Sequence, residues 1–189
     1  ERAPGLACLV EALRAVVAAA AARPPRRGVV FAATSGHELG HMGLDRLLSG
    51  VEGEVFAWVH LGANFGSRSA PGSPMLYQAS DGALEELLVG SLREAGCEPI
   101  WRVTALGARP MGEVREVHDR GGRYVSLMAL NPRFHHPSDA YPDAVDLDKT
   151  FSASRAVGRV LQALLGTAAL RSPGPPEGAT VGTPLHSDL

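Results

Sequence analysis

Residues 37–41 read His-Glu-Leu-Gly-His and follow directly on an apolar run that ends at Ala33. Two histidines one helical turn apart can bind a zinc ion, and a glutamate between them can activate water. Five of the seven histidines, His37, His60, His118, His135 and His136, lie after or between apolar runs and not inside them. A strand that ends in residues of this kind is where an open α/β sheet keeps its chemistry.

The surroundings of the five-residue motif argue against a zincin protease, and this reading ranks last. Gly40 and Gly43 would each cost roughly 1 kcal/mol inside the rigid helix that such a site requires. The extended pattern also needs a glycine and a third histidine where this chain has Leu44 and Leu47. His37 and Glu38 are better read as a corner between a strand and a helix, with His41 a bystander.

Positioning that corner calls for alternating helices and strands. Pro4 suits a first helical turn, and Leu6, Leu9, Val10, Leu13, Val16 and Val17 recur at helical spacing, which predicts a buried helix ending before Pro24. Residues 29–33 are too short for a helix and predict a strand covered on both faces. A helix over about 39–48 follows, stopping at Gly50. Residues 55–61 predict a strand, 62–74 a surface loop and 75–78 another strand. Asp81 caps a predicted helix running to Gly96. Short strands are expected at 100–103 and 124–130, with a polar loop or short helix over 107–122 between them. The loop 134–146 leads into a last helix capped by Asp146 or Asp148 and closed by Gly166. This alternation predicts an α/β fold, a three-layer α/β/α sandwich with a mostly parallel central sheet. The domain is expected over residues 1–166, with a flexible tail rich in Pro, Gly, Ser and Thr over 167–189.

The bulk numbers exclude several functions. The chain of 189 residues is 45% hydrophobic and 20% charged, as expected of a soluble globular domain. With 18 basic and 20 acidic side chains and no basic stripe beyond residues 23–27, a nucleic-acid partner is not indicated. The apolar run 6–22 is interrupted by Glu11 and Arg14 and reads as a buried helix, not a membrane span. Cys8 and Cys97 make no disulfide framework and are expected as buried free thiols. Compartment and oligomeric state leave no signature.

Four stretches together resemble the co-catalytic zinc aminopeptidase family, which includes secreted bacterial aminopeptidases, glutamate carboxypeptidase and the transferrin receptor. FAATSGHELGHMGL is similar to the family's strand-to-helix segment carrying an acidic pair, and ERAPGLACLVEAL to its Asp-Asn-x-Ser-Gly segment entering a helix. VFAWVHLGANFG is similar to the strand ending in Asn-Leu-Asp, and FHHPSDAYPDAVDLD to the late His-Thr-x-x-Asp-Thr loop. The resemblance implies a zinc-exopeptidase type of fold without its usual N-terminal part, and an upstream histidine ligand placed before residue 1. It implies zinc as cofactor and a small peptide or aminoacyl substrate.

Carried over by position, Glu38 stands for the acidic zinc ligand and His37 for the general base. His135 matches the late histidine ligand, Asp139 the loop-bracing aspartate, and Glu1 the bridging aspartate. The remaining aspartate ligand falls on Gly62, which has no side chain. His60 shares a strand face with that position but is displaced by roughly 6–7 Å, so it could serve only a shifted site. An imidazole can accept a proton at neutral pH, which leaves His37 fit for a base. One zinc ion held by Glu38, His135 and one of His37, His60 or Glu1 is therefore expected, in a divergent peptidase-like hydrolase. The alternative is a non-catalytic binding or scaffold domain of the same fold, in which these residues only brace loops.

Overall fold

Helix α1 (Ala3–Ala22) starts with Pro4 in its first turn, where a missing N–H is tolerated. It buries Pro4, Cys8, Ala12 and Val16, a stripe at helical spacing that joins one core with α5 (Leu147–Gly166). Of the other apolar side chains, Leu9 is half-buried, and Leu6, Val10, Leu13 and Val17 are exposed. The expectation of a buried helix is thus corrected to a helix buried along one stripe. By length and composition alone α1 could cross a membrane. The computed structural model describes residues 2–166; Glu1 and the tail expected at 167–189 lie outside the described residues.

Four strands form the sheet: β1 (Trp58–Leu61), β2 (Met75–Ala79), β3 (Ile100–Arg102) and β4 (Tyr124–Ala129). Their order is β1-β4-β2-β3, with β1 parallel to β4, β2 parallel to β3, and β2 antiparallel to β4. The fold is mixed α/β with an open, mostly parallel sheet and flanking helices. Residues 29–33 do not form the expected strand. They run without regular structure into a 3-10 turn at His37–Leu39, and α2 (Met42–Ser49) begins later than the sequence suggests.

Two caps anticipated from the sequence set helix starts. Asp81 accepts from Leu84 N at 3.1 Å at the head of α3 (Gly82–Glu94), and Asp146 Oδ1 accepts from Lys149 N at 2.9 Å before α5. The loop 107–122 contains the short helix α4 (Val114–His118). The main core joins α1, α3 and α5 to Val125, Leu127 and Ala129 of β4. A smaller cluster joins Val114 and Val117 of α4 to Tyr124, with Leu48 and Trp58 packed on it. Successive β4 side chains therefore enter different clusters, as strand alternation requires.

Cys8 and Cys97 are buried and unbridged, and burial pushes the Cys8 thiol up to about 11. The expected surface loop 62–74 is corrected in its first half, where Phe65 is fully buried in the main core. That half is held inside because Ser67 Oγ donates to Leu130 O at 2.6 Å and Ser67 bridges to Val145. Its polar backbone groups thus find partners away from water.

Candidate functional site

The corner is shaped by two glycines. Gly36 (φ 73°) and Gly40 (φ 77°) take the left-handed conformation on either side of His37–Leu39, a geometry that costs glycine little. His37 and Glu38 therefore sit on a tight turn, not on a continuing helix. His41, also left-handed (φ 62°), precedes α2, is buried, and places Nδ1 3.2 Å from Glu116 Oε1. The two histidines of the motif do not share one helix face, so the zincin geometry is not assembled; His41 ties α2 to α4.

A row of polar side chains crosses the sheet beneath the corner. His60 of β1 pairs in register with Ser126 of β4, which pairs with Gln78 of β2. His60 Nδ1 lies 2.8 Å from Ser126 Oγ. Gln78 is fully buried, accepting from Met111 N at 2.7 Å and donating to Met111 O at 3.1 Å. Gln78 thereby anchors the loop just ahead of Glu113, which heads α4.

Glu113 is the centre of the arrangement. Its Oε1 lies 3.4 Å from His37 Nδ1, its Oε2 3.6 Å from His60 Nε2, and Arg2 approaches Oε2 at 3.8 Å. The His60 imidazole, aided by His37, outweighs burial and holds the Glu113 carboxyl down at about 2. Both facing nitrogens, His37 Nδ1 and His60 Nε2, are buried and make no hydrogen bond. On the far side of the turn, Glu38 Oε1 lies 3.8 Å from His37 Nε2 and 3.6 Å from His135 Nε2. His60, Glu113, His37, Glu38 and His135 thus alternate imidazole and carboxylate, from a half-buried end at the sheet to an open rim.

His135 is left-handed (φ 59°) and stacks on Phe134 with ring centroids 4.0 Å apart. Its loop is tied down by Asn131, which donates from Nδ2 to Asp139 Oδ2 and Asn64 Oδ1, each at 3.0 Å. Of the residues named from sequence, the structure brings His37, Glu38, His60 and His135 into this chain, and places Asp139 in the bracing of the His135 loop. Glu1 lies outside the described residues. At Gly62 an added Cβ would sit 2.8 Å from Leu127 O, so this backbone leaves no room for a ligand side chain. His118 turns to Tyr124, its Nδ1 3.5 Å from the hydroxyl, and His136 Nδ1 lies 2.8 Å from Ser138 Oγ. Sequence reasoning missed Ser126 and Gln78. The signal was a lone polar residue inside each of the apolar strands YVSLMAL and MLYQA.

Imidazole and carboxylate are the donor types that zinc takes. Among the described residues no three such groups already converge as a metal cage. The fit is pairwise: the Glu38–His135 separation of 3.6 Å is close to the roughly 3.3–3.4 Å between neighbouring ligands around a tetrahedral ion with bonds of about 2.0–2.1 Å. No family model matches the chain, and neither a curated protein nor a solved structure matches it.

Proposed function

We propose that the chain is a divergent metal-dependent hydrolase, aminopeptidase-like, acting on small peptides or aminoacyl compounds, with one zinc ion held by Glu38 and His135. The observation that carries this reading is the meeting of Glu38 and His135, far apart in sequence, beside a histidine whose other nitrogen faces a half-buried carboxylate at 3.4 Å. The finer reading of the layers, a three-layer α/β/α sandwich, draws support from the two clusters fed by alternate β4 side chains, and the zinc-exopeptidase type remains part of the proposal.

When bound, the metal would polarise a carbonyl and lower the pKa of its water. The protein's own contribution starts at Glu113. As a carboxylate it faces His37 Nδ1 at 3.4 Å, and His37 Nε2 faces the Glu38–His135 edge. There His37 accepts a proton, and Glu113 stabilises the imidazolium that forms, the role of the carboxylate in a carboxylate–histidine pair. Ser126 holds His60 through Nδ1, which leaves Nε2 3.6 Å from the second oxygen of Glu113, so the carboxylate is flanked by an imidazole on both sides.

Metal content after dialysis of the full chain, followed by hydrolysis of aminoacyl reporter substrates, tests the reading. Glu38→Ala and His135→Ala should each lose the bound zinc, while His41→Ala should keep it. A zincin would show the reverse for Glu38 and His41, because its glutamate is not a ligand. One observation favours a second reading, a non-catalytic binding domain: Gly62 has neither a side chain nor space for one. A folded chain that takes up no zinc, cobalt or manganese would support that reading and sink the first.

A further inference from the structure

We infer that the outer edge of β1 is a docking site for a peptide of another molecule, extended and carrying large apolar side chains at alternate positions, which lies beside β1 as an added strand. β1 ends the sheet on this side. Trp58 N donates to Arg123 O and Gly62 N to Leu127 O, so the amides at these alternate positions face β4. The peptide groups of Val59 and Leu61 must then face the other way, and among the described residues nothing pairs with them.

The edge opens into a cavity of about 1060 Å³ that reaches both faces of the strand. On the face of Val59 and Leu61 the cavity is walled by Val157 and Leu161 of α5, and on the face of Trp58 by Val114 and Val117 of α4. Val29 and Phe31, in the irregular segment ahead of the His37 corner, complete the lining.

This layout decides the occupant. A purely apolar guest such as an acyl chain would fit the walls but leave the peptide groups of Val59 and Leu61 dry and unpaired, which is costly. A guest strand spaced about 4.8 Å from β1 pairs them and sends alternate side chains to each wall. A second observation points to a guest on the Trp58 face. His60 shares that face and lines the cavity, and its Nε2 is buried without a hydrogen bond. A hydroxyl-bearing residue of the guest beside His60 would meet this nitrogen. The inference stands apart from zinc hydrolysis, since its readouts need neither metal nor turnover and either reading can fail alone.

Titration of the full, metal-free chain with the capped peptide acetyl-Val-Leu-Thr-Leu-Val-amide tests it, read by calorimetry and by amide exchange in NMR spectra. Its leucines suit the α5 wall and its threonine suits His60. Saturable binding is expected, with slower exchange at Val59 and Leu61 and none of that slowing at Trp58 and His60. N-methyl groups on the second and fourth residues of the peptide block one of its edges, and on the third and fifth the other. One of these two analogues should lose at least ~10-fold in affinity while the other keeps it, because only one edge meets β1. Val59→Pro removes an outer-edge donor without touching the β4 ladder, and should weaken binding by ~5-fold or more while β4 amides stay protected. Equal binding of the two methylated analogues, slowing at Trp58 and His60 instead, or no saturation by about 1 mM peptide would overturn the proposal. Uptake of dodecanol in place of the peptide would assign the cavity to a lipid and overturn it too. Slowing at Val59 and Leu61 that appears when the chain alone is concentrated would assign the edge to a second copy, with the same consequence.

Discussion

The two sides of β4 are built to different standards. On one side β2 pairs with it from Met75↔Ala129 to Ala79↔Val125, β3 extends the sheet, and α3 covers it with Leu84, Leu88 and Leu92 at 1% exposure or less. On the other side β1 is only half-buried and, among the described residues, its outer edge is unpaired and residues 28–34, which line a cavity together with it, make no backbone hydrogen bonds. His37, Glu38, His60 and Glu113 all belong to the second side or face it. The closed side supplies stability, and the open side holds the groups that can do chemistry. Binding and catalytic elements are commonly drawn from the less stable part of a fold, because they have to move or to admit a ligand.

The sharpest way to break this comparison is to damage the closed side. Leu88→Ala removes a side chain that is 1% exposed and should cost about 2–5 kcal/mol in urea denaturation. A small loss would mean that α3 is not where the stability lies. Next in size is Asp81→Ala, which deletes a helix cap and leaves Arg123 without the carboxylate that accepts from it at 3.0 and 3.1 Å. With both partners largely buried, a loss of about 2–4 kcal/mol is expected.

The same residue gives a pH signature. Burial works against the Asp81 carboxylate, but the Arg123 hydrogen bonds outweigh it, together with those from Leu84 N and Ser80, and its pKa lies below the ordinary value. A carboxyl with a lowered folded pKa adds stability at pH values above its unfolded pKa of about 3.9, and that stability is lost as the pH falls through the folded value. Stability of the parent should therefore decline more steeply below about pH 4 than that of Asp81→Asn. Parallel acid limbs would remove Asp81 from the account. A smaller effect, about 1 kcal/mol, is expected for Tyr77→Phe, which loses the bond from the hydroxyl to Glu85 Oε1 at 2.6 Å while Arg102 keeps Glu85 paired.

The closed side was also the more legible. The α3 cap at Asp81 and the periodicity of α5 are local signals, and local structure follows them. β2, β3 and β4 are short apolar runs between turn residues and appear near their expected bounds. On the open side, the apolar composition of residues 29–33 signals a strand, but pairing is a property of two segments and composition describes only one. The 3-10 turn at His37 could be suspected from its flanking glycines, yet their left-handed conformation shows only in the backbone. The loop carrying Glu113 is expected from sequence to overhang this edge, but which residues pair with His60 was hidden for a similar reason. Ser126 meets it through the β1–β4 register, and Glu113 through a loop that Gln78 anchors. None of these partners is adjacent in sequence, so no spacing rule finds them.

The smallest predicted effect bears on α1, where the two standards meet in neighbouring residues. Val16 is 6% exposed and joins the main core, whereas Val17, one position on, is 61% exposed. Their side chains and helix propensities are the same, so a pair of alanine substitutions isolates burial. Val16→Ala should cost about 1–3 kcal/mol through lost contacts and a small cavity. Val17→Ala should stay within about 0.5 kcal/mol, as exposed positions do. Equal losses would show that the outer face of α1, with Leu6, Val10 and Leu13, is covered in solution. The exposed face of α1 would then be a buried surface of the protein in solution, and the single buried stripe would not set the energetics of this helix.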